Sequence, residues 1–159
     1  MDVNKLKTFA FKHSITLKKR YIDFKNYLDG KEKDKDGKII YKSTTGFVIA
    51  NVSQEDENEL KKFVKEFDLE SRISFYTECE KLLARSNNKI QETIVKILNN
   101  MPKKIDYKVY SNRIKNNELS EKLVKVIENI NKLEDYFEGY VKSIKELLEK
   151  WGDQKSTDW

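Results

Sequence analysis

Residues 118–151 read ELSEKLVKVIENINKLEDYFEGYVKSIKELLEKW, and in them Leu119, Leu123, Val126, Ile130, Leu133, Phe137, Tyr140, Ile144, Leu147 and Trp151 recur at alternating spacings of four and three. Apolar residues at that rhythm fall on one stripe of an α-helix. The stretch holds no proline and a single glycine, Gly139. A helix of this span would be roughly 50 Å long at about 1.5 Å rise per residue. Such a stripe is buried either by other helices of the same chain or by a second copy in a coiled coil. Ile127, Val141 and Leu148 widen it beyond a two-position seam, and the bulky Phe137 and Tyr140 fit a two-stranded seam poorly. Both features favour a bundle within the chain, with self-association left to the remaining surface.

Outward from this helix, the same periodicity recurs. Val3, Leu6, Ala10, His13, Leu17, Tyr21, Phe24 and Leu28 form a stripe over residues 3–28, widened by Phe9, Phe11, Ile15 and Ile22. The charged run DGKEKDKDG, residues 29–37, is expected to be a solvated loop. KIIYK and FVIANV flank STTG, which predicts a small β-hairpin near 38–52 lying on the helices. Ser53 is an N-cap candidate, followed by Gln54, Glu55, Asp56 and Glu57 where a helix dipole favours anions. Leu60, Phe63, Val64 and Phe67 continue that helix. Asp68 is read as the cap of a further helix carrying Ile73, Tyr76, Cys79, Leu82 and Leu83, unless the two are one bent helix. Asn88 with Gln91 resembles a capping box ahead of Ile90, Ile94, Ile97, Leu98 and Met101, and Pro102 ends that stripe. Residues 103–116 admit two readings, since Ile105, Tyr107 and Val109 alternate as in a strand while Ile105, Val109 and Ile114 suit a short helix. Asn116 or Asn117 would cap the long C-terminal helix. The expected fold is therefore mainly α: a helical bundle of about four to five helices in a single domain over 1–151, with 152–159 as a short tail.

The totals agree. Charged residues make up 37% of the chain and apolar residues 38%, a balance that suits helices with much solvated face. Five glycines and one proline are few for a turn-rich β protein. The lone Cys79 excludes an internal disulfide, no opening stretch reads as a signal peptide, and no apolar run is long enough for a membrane span. The expected location is cytoplasmic. The richness in Lys, Asn, Ile and Tyr suits an AT-rich genome, and with the lack of motifs it fits a phage or mobile-element origin.

Charge is unevenly placed around a net of +5. Residues 1–30 and 101–116 each carry +4, and residues 53–70 carry −4. That asymmetry means either two charged faces or an acidic helix packed beside basic segments. Two basic–aromatic clusters result. Lys18, Lys19, Arg20 and Lys25 surround Tyr21 and Phe24; Lys103, Lys104, Lys108, Arg113 and Lys115 surround Tyr107 and Tyr110. Cations neutralise phosphates and exposed aromatics stack on bases, so these residues are the nucleic-acid-binding candidates. Tyr21 and Phe24, however, also lie on the apolar stripe of their helix.

Glu32, Asp34, Asp36 and Gly37 match the opening of a calcium loop, but Ser43 stands where a bidentate glutamate is required. No metal or other cofactor is expected. His13 and Cys79 each occur once and each sits on an apolar stripe, where packing explains them. No phosphate-binding loop, dinucleotide fingerprint, zinc-protease motif or nucleophile elbow occurs, so no enzyme and no small-molecule substrate is inferred. The expected function is non-enzymatic macromolecular recognition, with a protein partner or a second copy. Nucleic-acid binding through 18–25 and 103–115 is the alternative, and a small helical enzyme such as a nuclease the third reading.

Overall fold

The computed structural model describes residues 2–151 except 31, 34, 38, 43–47, 50, 51, 86–88 and 111, with backbone alone for residues 32, 39, 42, 48, 49 and 151. The fold is mainly α. Six helices are present among the described residues: α1 (Val3–Asp29), α2 (Gln54–Glu66), α3 (Leu69–Arg85), α4 (Ile90–Asn99), a single turn α5 (Tyr107–Tyr110) and α6 (Asn117–Trp151). Three short strands, β1 (Glu32–Lys33), β2 (Ile39–Lys42) and β3 (Val48–Ile49), pair antiparallel in the order β1-β2-β3. Tyr41 is opposite Ile49 and Lys42 opposite Val48, within the stretch where a hairpin was expected. The added strand β1 puts Glu32 opposite Ile40, inside what read as open loop. Residues 43–47, which hold the whole STTG turn, lie outside the described residues, as do Asn88 and the tail 152–159.

Local chemistry explains the boundaries. Ser53 accepts the Asp56 backbone N–H at 3.1 Å and caps α2. The α2–α3 question resolves as two helices: Asp68 adopts φ 51°, a left-handed conformation that ends α2 after Phe67 and lets α3 start anew. Gly30, at φ 59°, ends α1 in the same way. Asn116, not Asn117, caps α6, accepting the Leu119 N–H at 3.1 Å. The N-cap position of α4 is Lys89, whose side chain makes no capping bond. Among the described residues of 103–116 there is a single helical turn, Tyr107–Tyr110, and neither expected stripe is buried whole: Ile105 and Ile114 are buried outside that turn, and Val109, common to both readings, is 63% exposed.

Contacts divide the chain into two compact units, one of residues 1–18, 73–103 and 132–159 and one of residues 19–72 and 104–131. In the first unit, the start of α1, most of α3, α4 and the end of α6 bury Leu6, Leu17, Leu83, Ile94, Phe137 and Ile144. Tyr76 of α3 meets the Phe137 ring edge-on at 5.5 Å and donates its hydroxyl to the buried Glu134 at 2.6 Å. His13 departs from the predicted stripe: it is half-buried, and Ser14 is the fully buried residue of that turn, its hydroxyl bonded to the Phe11 carbonyl at 2.7 Å. In the second unit, α2, the end of α1 and the start of α6 bury Phe24, Phe63, Leu60, Leu119, Leu123 and Ile127. Phe24 stacks on Phe67 at 5.9 Å, and Tyr41 of β2 meets the Tyr27 ring edge-on at 6.1 Å.

Of the α6 stripe, Leu119, Leu123, Val126, Ile130, Phe137 and Ile144 are buried, and Ile127, Val141 and Leu148 with them; the Trp151 side chain lies outside the described residues. Leu133, Tyr140 and Leu147 are the members that stay half-buried.

Candidate functional site

The two basic–aromatic clusters are extensively engaged with acidic partners of their own units. Lys18 pairs with Glu80 at 2.6 Å and Lys25 with Glu70 at 3.1 Å. Arg113 bridges two carboxylates of α2, Glu59 at 2.6 Å and Glu66 at 2.9 Å. Its guanidinium also lies over the Phe63 ring at 4.7 Å and the Tyr110 ring at 5.3 Å, where the quadrupoles attract a cation. Lys115 pairs with Glu55 at 2.9 Å. The acidic helix thus packs beside the basic segment, one of the two arrangements the charge asymmetry allowed.

The electrostatics follow from these contacts. Arg113, through its hydrogen bond and charge, holds the Glu59 carboxyl below its ordinary range, with Lys62 adding to the effect. Glu66 and then Glu59 bias the guanidinium further toward its charged form. Glu55 does the same for Lys115.

Tyr110 is not a free stacking platform: it meets Phe67 edge-on at 4.7 Å and Phe63 at 5.2 Å. Tyr107 is half-buried. Lys104 and Lys108 have interactions of their own. Lys19, Arg20 and Lys103 make no ion pair among the described residues.

The calcium-like loop is partly outside the described residues, which leave out Asp34, Lys38, Ser43 and the Glu32 side chain. Gly37 takes φ 82°, as a sharp turn requires, and Asp36 is exposed, but a strand follows rather than a helix. Among the described residues no group of three or more His, Cys, Asp or Glu side chains is placed to hold a metal ion.

His13 Nδ1 lies 3.0 Å from the Phe9 carbonyl, and its ring packs edge-on against Tyr140 at 5.0 Å and Tyr136 at 6.2 Å. Burial, with the charge of Glu78, pushes the Cys79 thiol up to about 12, which keeps it protonated at neutral pH and poor as a nucleophile.

A feature that the sequence reading did not single out lies on the first unit. Leu6, Tyr136, Tyr140 and Leu147 line an open surface cavity of about 690 Å³ together with Asp135, Ser143, Glu146 and Lys150. Gly139 lines it too, and a Cβ built there would meet nothing within 4 Å. Tyr136 is 50% exposed. The available signal was Gly139 itself, a glycine in mid-helix with helical neighbours on both sides.

Among the described residues no helix is long and apolar enough to cross a membrane. Comparison with protein families, with curated proteins and with solved structures finds no match.

Proposed function

We propose that this chain is a non-enzymatic recognition protein whose partner is another protein or a second copy of itself. The observation that carries this reading is the open cavity on the first unit. A lining that mixes exposed aromatic and aliphatic side chains with polar and charged ones has the composition of a protein–protein contact. The ion pairs of Lys18, Lys25, Arg113 and Lys115 support it from the other side, because cations already engaged with carboxylates have less to offer phosphate.

Affinity capture from the native host, followed by reconstitution with the purified captured protein, tests the reading together with light scattering of the chain alone. A defined complex or a concentration-dependent mass above 18.9 kDa is expected. Failure of both retires the reading.

Nucleic-acid binding is the second reading, favoured by Lys19, Arg20 and Lys103, which make no ion pair among the described residues. It requires affinity that falls steeply with salt, with the Lys103→Ala variant lowering both affinity and the salt slope. Titration of labelled single- and double-stranded probes decides it, and salt-insensitive or absent binding removes it.

A further inference from the structure

We propose that the exposed face of α6 centred on Gly139 is a self-association surface, on which a second copy of the chain lays the same face antiparallel. This rests on the recognition reading above and names its partner and its geometry.

Lys132, Asp135, Gly139, Ser143 and Glu146 follow one another at spacings of three or four, which puts them on one side of the helix. All are exposed except Ser143, which is half-buried. Placing a two-fold axis at Gly139 pairs each residue with the one equally far on the other side. Lys132 then faces the second copy's Glu146, and Glu146 faces the second copy's Lys132. Asp135 faces the second copy's Ser143 hydroxyl, a donor for its carboxylate. Gly139 faces itself.

The charge pattern is self-complementary in this orientation alone. A parallel pairing would set Lys132 against Lys132 and Glu146 against Glu146. Neither Lys132 nor Glu146 makes an ion pair within its own chain among the described residues. The seven-residue spacing of Lys132, Gly139 and Glu146 keeps these rows facing over the shallow crossing, about 20°, that helices favour in this mode.

Gly139 has no intramolecular purpose that its surroundings reveal. It sits inside a 35-residue helix, exposed, with open space where its Cβ would be. A glycine in mid-helix is disfavoured relative to alanine. Its absent side chain lets two helix backbones approach closely at the crossing point. Tyr136, Tyr140 and Leu147, which line the cavity beside it, supply the apolar area a second copy would cover. One helix crossing is a small interface, so the affinity expected is micromolar.

Sedimentation velocity on the full chain, over micromolar to submillimolar concentrations, tests this. The wild-type chain is expected to dimerise, and Gly139→Leu to be monomeric with unchanged helical circular dichroism. Lys132→Glu and Glu146→Lys should each weaken the dimer roughly tenfold or more, since each replaces two attractive pairs by two repulsive ones. Mixing those two variants should restore dimerisation as a heterodimer, because each then offers the charge the other lacks. A wild-type chain that stays monomeric overturns the proposal while leaving recognition of a different protein standing. A dimer that survives Gly139→Leu keeps self-association but removes it from this face. A mixture of the charge variants that stays monomeric overturns the antiparallel pairing.

Discussion

The carboxylate of Asp56 accepts the backbone N–H of Asn116 at 3.0 Å across 60 residues of sequence. It also accepts the Lys115 N–H at 2.8 Å, and it is 1% exposed. Asp56 stands three residues after the Ser53 cap, where a carboxylate often reaches back to the cap's own N–H. Here it instead holds the entry of α6 against the start of α2. Replacing it with Ala would take the shared acceptor from two part-buried N–H groups and break the tie between α2 and the entry of α6. The expected loss is about 3 kcal/mol, or roughly 6–12 °C in Tm for a chain of this size. Asp56→Asn should lose less, since its amide oxygen still accepts one bond. Thermal melts of both variants check the order, and equal Tm values for Asp56→Ala and the wild type would dismiss the latch.

Arg113 gives a pH-dependent prediction. Glu59 is held below its ordinary range in the folded chain, so its pairing stabilises above the unfolded value, about 4.3, and fades as pH falls through the folded one. Arg113→Met should therefore destabilise by about 1 kcal/mol at neutral pH. The gap from wild type should narrow progressively in acid. Urea unfolding at a series of pH values reads this out, and a gap that does not change with pH would mean that the stacking on Phe63 and Tyr110 supplies the whole effect.

These two residues show where sequence reading stopped. The stripes of α1, α2 and α6 were legible because helical period and burial coincide, and the Ser53 and Asn116 caps because capping is local. The carboxylates of Asp56 and Glu134 looked like any other acidic residue among many. Their partners are 58 residues or more away in sequence, and only tertiary structure reveals them. The same holds for the candidate cations. Position and sign were readable for Lys25, Arg113 and Lys115, but not the carboxylates they face. Ile105, Tyr107 and Val109 left 103–116 open between strand and helix, because alternation implies a strand only when a neighbouring strand is present.

Cys79 should be silent to alkylation. Its thiol, buried and pushed up to about 12, is protonated at pH 8. Iodoacetamide labelling in native buffer is expected to track unfolding, with full reaction in guanidinium. Rapid labelling of the folded chain would mark an accessible thiolate and contradict the burial of Cys79.

Asp68 holds φ 51° at the α2–α3 junction, where a side chain is unfavourable. Asp68→Gly should leave the junction intact and stabilise by about 0.5–1 kcal/mol, reduced by the greater freedom glycine gains when unfolded. Asp68→Val should destabilise by more than that, because a β-branched residue resists this conformation. If both variants melted like the wild type, the junction would not be held in the left-handed conformation.

Gly139 separates stability from association. Nothing within 4 Å of its missing Cβ opposes alanine, so Gly139→Ala should raise the stability of the isolated chain. The expected gain is about 0.5–1 kcal/mol, from helix propensity alone. Measured in dilute solution, where mass action disfavours a dimer, this appears as a higher Tm. At high concentration the added methyl lies at the crossing point, and a dimer that needs close approach should benefit less from concentration than the wild type does. The rise of Tm with protein concentration should therefore be shallower for the variant. A variant whose Tm falls in dilute solution would mean that Gly139 serves its own chain and not a crossing point with a second copy.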